Sequence, residues 1–184
     1  MRRGVFALMM TLLFLCGCGG EQDEVTYENW RQAANEHVLS FDAEITALAG
    51  GEQTVYAVHV RHDQLETVLT LTAPESIAGI GFRSRNGETE LVYDGLLLSL
   101  GTAAAHAGDP CAAIPALMEA LASPRLSRSW REGEYLAVEL PLGGERSIRV
   151  YFERQSMTPL LTEETENGQS VVFCKIKNWT MGET

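Results

Sequence analysis

At 184 residues the chain is long enough for one domain with a full core, and 25 acidic against 14 basic residues give it a formal charge of −11. That sign excludes nucleic acid as a partner. It also excludes electrostatic attachment to anionic lipid head groups, so any hold on a membrane must come from elsewhere.

Met1-Arg2-Arg3 is followed by an uncharged run, Gly4 to Leu15, which closes on Leu15-Cys16-Gly17-Cys18. About a dozen apolar residues fall short of the roughly 20 that a permanent spanning helix needs, so the run is expected to be a secretory signal. The closing tetrapeptide resembles the bacterial lipobox. The resemblance implies cleavage before Cys18, a thioether-linked diacylglycerol on its sulfur and an acylated amine. Cys16 fits less well, because Phe14-Leu15 before it are bulky. Residues 1–17 are therefore expected to be removed, 18–24 to form a short acidic tether, 25–180 a single domain and 181–184 a frayed tail. Such a product works outside the cytoplasm on a lipid anchor, and two or three acyl chains hold stably where one does not. The outer leaflet of the cell membrane is the place in a host with one membrane. In a host with two, Gly19 is not the Asp that favours inner-membrane retention, so the outer membrane is favoured.

A helix is predicted from about Val25 to Leu39, with Thr26 as its cap. Tyr27, Trp30, Ala34, His37, Val38 and Phe41 form its apolar stripe. The period then changes to two. Strands are read over 41–48, 54–61, 65–73, 77–84, about 91–93 and 96–100, with turns at Gly50-Gly51, His62-Asp63-Gln64, Asn86-Gly87 and Asp94-Gly95. Gly101 to Gly108, rich in Ala and Gly, reads as a loop. Asp109-Pro110 then opens a second helix with the stripe Ile114, Leu117, Met118 and Leu121, in which Pro115 should produce a kink or a later start. Five more strands follow over 126–131, 135–140, 146–153, 160–164 and 170–179. The sum is a mainly β, α+β chain. About eleven antiparallel strands curl into a half-barrel, and two helices close its greasy concave side, which a flat sheet would leave in water.

Three stretches now carry a family resemblance. They are the hairpins from Tyr56-Ala-Val-His-Val to Pro74-Glu75-Ser-Ile-Ala-Gly-Ile, then Leu91-Val-Tyr-Asp-Gly95, and the close through Thr158-Pro159-Leu160, Glu166-Asn167-Gly168 and Val171-Val172-Phe173. From about Val38 to Trp179 the chain resembles the LolA/LolB-like lipoprotein-carrier superfamily, which includes LppX-like and GerS-like lipoproteins. The resemblance implies a half-barrel whose apolar cavity takes an acyl chain of a lipid or lipoprotein, or docks a protein partner. A freely diffusing shuttle does not fit a chain with a lipobox. The alternative is a partner-binding regulator of the GerS type, acting in germination or envelope physiology with a filled interior.

No catalytic constellation is found and no cofactor is implied. His59 and His62 fall on opposite faces of a strand, His106, Asp109 and Cys111 read as loop and cap rather than metal ligands, and Gly79-Ile-Gly81 lacks the helix of a nucleotide turn. Glu163, Glu164 and Glu166 read as an exposed edge or turn rather than as paired catalytic acids. Candidates for a cavity lining are Leu69, Leu71, Ile80, Phe82, Leu91 and Tyr93 from the first half of the sheet. Leu136, Val138, Leu140, Ile148, Val150 and Phe152 come from the second half, and Met118 and Leu121 from the covering helix. The same alternation also describes a solid core. Trp30, Trp130 and Trp179 read as packing anchors. Once Cys16 and Cys18 are accounted for, Cys111 and Cys174 remain, either as a disulfide or as two separate thiols.

Overall fold

The computed structural model describes residues 20–49, 52–101 and 109–182. The signal run, Cys18, the Gly50-Gly51 turn, His106 and most of the Gly101–Gly108 loop lie outside the described residues.

Helix α1 spans Gly20–Glu36 and is followed by β1 (Val38–Ala49), β2 (Glu52–His62), β3 (Thr67–Ala73), β4 (Gly81–Arg85), β5 (Glu88–Tyr93) and β6 (Leu96–Gly101). Helix α2 (Pro110–Ala122) leads to β7 (Arg128–Glu132), β8 (Tyr135–Gly143), β9 (Arg146–Glu153), β10 (Pro159–Glu166) and β11 (Gln169–Gly182). All eleven strands form one antiparallel sheet in the order β6-β5-β4-β3-β2-β1-β11-β10-β9-β8-β7. β6 and β7 are its two edges and are not paired with each other. The sheet is therefore an open half-barrel, and α2 carries the chain from one edge to the other.

Short turns set this order. Asn86-Gly87, Asp94-Gly95 and Asn167-Gly168 each place two successive residues at positive φ, the geometry that matches strand twist in two-residue hairpins. At the centre, β1 pairs with β11 from Val38↔Gly182 to Ala47↔Val172, so the residues from Met181 that were expected to fray are held in a strand as far as Gly182.

The start of α1 differs from expectation. The helix is already formed at Gly20, the first described residue and inside the presumed tether, and Thr26 is an interior residue whose hydroxyl donates to the Gln22 carbonyl. Asp23, Tyr27, Trp30 and Ala34 are its buried face. Asp23 extends that face by one turn because Arg131 of β7 donates to both its carboxylate oxygens at 2.7 Å. The helix stops where His37 Nδ1 donates to the Ala33 carbonyl, and Val38 and Phe41 belong to β1. α2 opens as expected, with Asp109 accepting from the Cys111 amide and Pro110 in the first turn, and Pro115 is accommodated without delaying the start.

Glu164 is also corrected. It is buried rather than on an exposed edge, because its register opposite Ile148 and Val172 turns it toward the interior, where Arg146 donates to it at 2.6 and 3.1 Å. On the solvent face, Arg149 lies between Glu163 at 2.7 Å and Glu139 at 3.5 Å, and Arg128 joins Glu139 while stacking over Trp130. Removing one member of a buried pair strands the other charge. Arg146→Ala is therefore expected to cost about 3 kcal/mol, and Arg146→Leu with Glu164→Leu to recover most of it. Urea midpoints of the three chains check this.

Candidate functional site

The two halves of the concave face are filled differently. On the C-terminal half, Leu136, Val138, Leu140, Ile148, Val150 and Phe152 are all buried and are met by α1 and by Met118 and Leu121 of α2. Trp30 packs edge-on to Phe152 at 4.6 Å between ring centres, Tyr27 lies 6.0 Å from the same ring, and Trp179 stacks on Phe41 at 4.9 Å. These six strand residues, with Leu121, are packed core, and none of them faces open space.

On the N-terminal half the cover runs out. One cross-strand row crosses β1 to β6 through Phe41, Val60, Leu69, Phe82, Leu91 and Leu98. Leu69 is 2% exposed, Phe82 and Leu91 are half-buried, and Leu98 at the edge is 59% exposed.

Over this row, on the concave side, lies an apolar chamber of about 240 Å³. Ile45, Tyr56 and Val58 form its inner wall, Leu69, Leu71, Phe82 and Leu91 its floor, and Ile77 and Ile80 of the β3–β4 connection its side. Pro110 and Cys111, in the first turn of α2, close the top. Five of the sequence candidates, Leu69, Leu71, Ile80, Phe82 and Leu91, are brought together here. Tyr93, one step beyond Leu91, is half exposed and lines no cavity.

Phe82 and Cys111 also border a larger cleft of about 810 Å³, so the two spaces adjoin. The cleft runs between α2, the end of α1 and the tips of β3 to β6, with Met118, Pro115 and Leu100 as its apolar side. Its polar side contains His37, His62, Asn35 and Thr67, together with Glu66, Asp109 and Glu119. No lysine or arginine lines it among the described residues. Glu66 is offset by Arg83 at 3.5 Å, and Asp109 is engaged in capping α2. His62 is bonded through Nδ1 to the Thr67 hydroxyl, and burial lowers its pKa, which keeps it neutral at pH 7. The cleft therefore disfavours an anionic head group.

Tyr56, Val58, Ile45 and Cys111 were not among the candidates. Tyr56 and Val58 alternate with Val60 on one strand face, a signal that was legible. Cys111 was hidden, because only the fold brings the start of α2 over β2 and β3. The Cys111–Cys174 disulfide is not formed. Both are free thiols, Cys174 buried in β11 opposite Ile45 and Thr162, and Cys111 at the chamber mouth. Among the described residues no group of three or more His, Cys, Asp or Glu side chains could hold a metal, and no helix is long and apolar enough to cross a membrane.

Burial pushes Cys111 up to about 11 and Cys174 up to about 12. At pH 7.5 iodoacetamide is expected to modify Cys111 on the order of a hundredfold more slowly than a free thiol. Cys174 should react only once the chain unfolds. Mass spectrometry over time, with and without urea, reads both.

No protein-family model matches the chain, and no curated protein matches it. Solved structures do. A DUF1329 family protein from Desulfovibrio piger matches with a TM-score of 0.51 at 8% identity, over 88% of this chain and 92% of that one. An uncharacterized conserved protein from Thermus thermophilus matches with a TM-score of 0.50 at 11% identity, over 86% and 87%. A LolA superfamily protein from Nitrosomonas europaea matches with a TM-score of 0.48 at 11% identity, over 86% and 94%. At such identities the likeness is one of fold alone. Among the described residues, an open eleven-stranded antiparallel sheet with two helices over its concave side is the fold the chain shares with the first two of these structures.

Proposed function

We propose that the chain is an extracytoplasmic, membrane-anchored lipoprotein that binds one acyl chain without catalysing a reaction. The observation that carries this is the chamber itself, walled by apolar side chains and bordered by an open cleft with which it shares Phe82 and Cys111. A methylene takes about the volume of a water molecule, roughly 30 Å³, so the chamber accepts about eight. Each buried methylene contributes about 0.8 kcal/mol. The cleft, within the usual size range of ligand sites, would hold the rest of the chain and the head group. The carboxylates along the cleft favour a ligand without a free anion, such as an ester- or amide-linked acyl group. Cys18 would supply the anchor, and α1, already formed at Gly20, would hold the domain close to the membrane.

The packed C-terminal half supports the alternative of a partner-binding regulator with a filled interior. Ligand binding separates the two. A fluorescent monoacylglycerol is expected to bind the full chain and to slow the alkylation of Cys111. Leu91→Trp, which fills the chamber from a half-buried position, should weaken binding at least tenfold while the urea midpoint stays near that of the parent. Absence of binding by the parent chain would remove the acyl-binding function. Cys18→Ala should accumulate as an unprocessed precursor, and normal maturation and membrane retention of that variant would remove the anchor.

A further inference from the structure

The two edges of the sheet are treated in opposite ways. β7 is short and charged, with Arg128, Arg131 and Glu132, and α1 is tied to it through the Asp23–Arg131 pair. Such devices stop an edge from pairing with another chain. β6 reads Leu96-Leu97-Leu98-Ser99-Leu100-Gly101 and carries no charge in a chain of net −11. It has no proline, and its one irregularity is a bulge near its end, at Leu100. Leu96, Leu97, Leu98 and Leu100 are 71, 60, 59 and 43% exposed, and Tyr93 beside them is 51% exposed.

Leu96, Leu98 and Leu100 lie on the concave side, while Leu97 faces the other way. A flat apolar surface would cover only one of these faces. A strand laid along the edge covers both and also uses the open backbone groups.

We infer that β6 is a homodimer edge, at which a second copy of this chain pairs antiparallel through its own β6. The strand is self-complementary, and one register matches all three of its concave leucines. With Leu98 opposite Leu98 of the other copy, Leu96 falls opposite Leu100, and Leu97 opposite Ser99. Each leucine on the concave side then meets a leucine, and the contact is two-fold symmetric, as closed dimers are. The four leucines leave roughly 450 Å² of apolar surface open per copy, within the range of a monomer's largest patch. Two copies bring together up to about 900 Å², at the low end for a specific interface, and the backbone ladder between the two open edges adds to it. The dimer joins two sheets edge to edge and leaves both chambers on the same side.

Sedimentation velocity of the full chain in a mild detergent tests this. The parent is expected at twice the monomer mass, and Leu97→Lys with Leu98→Lys at the monomer mass with an unchanged circular dichroism spectrum. Residues directly opposite across an antiparallel pair lie close to the span of a disulfide. Leu98→Cys should therefore form a reducible cross-linked dimer under mild oxidation, whereas Leu65→Cys, equally exposed elsewhere, should not. A monomeric parent overturns the inference. So does a dimer that survives both lysines, or equal cross-linking at the two cysteines.

Discussion

Trp30 is the wedge on which the structure depends. Its ring sits between Phe152 of β9 and Trp179 of β11, with Tyr27 beside it and Phe41 of β1 beyond. This single cluster ties α1 to β1 and β11 at the centre of the sheet and to β9 farther along its C-terminal half. An antiparallel sheet of eleven strands has more apolar concave surface than two helices can cover, so where the helices sit decides what stays open. α1 is fixed over the C-terminal half by Trp30 and by the Asp23–Arg131 pair at its start. α2 spans the gap between the sheet edges and cannot also lie flat on β4 to β6. The chamber, the cleft and the bare β6 all follow from that shortage of cover.

Much of this was legible in the sequence. Alternation along β1, β8 and β9 and the turns at Asn86-Gly87, Asp94-Gly95 and Asn167-Gly168 marked the strands and the hairpins that join them, because those turns work locally, whereas the pairing of β1 with β11 carries no local mark. The start of α1 was not legible. Asp23 belongs to its buried face only because Arg131, far away in sequence, comes to meet it. Glu164 was misplaced for the same reason, its partner Arg146 lying across a strand pair rather than nearby along the chain.

The candidate lining shows the deeper limit. Leu69 and Val150 sit on strands with the same alternation, and both are buried. One faces a chamber and the other a packed core, and the difference lies in what stands opposite, a proline and a cysteine at the tip of α2 or the aromatic face of α1. Periodicity reports which way a side chain points. It contains nothing about how closely the opposing layer approaches.

The pairing of β1 with β11 has a consequence for how the molecule is made. The central seam of the sheet joins the first strand to the last, and each half of the meander hangs from it. Contacts this distant in sequence form slowly, because the chain must close its longest loop before they stabilise anything. The middle of the sheet cannot form until the C-terminal strand has been synthesised. A chain wired this way stays unlatched until β11 has been made and has reached β1, so its two half-sheets can form as separate meanders before anything joins them.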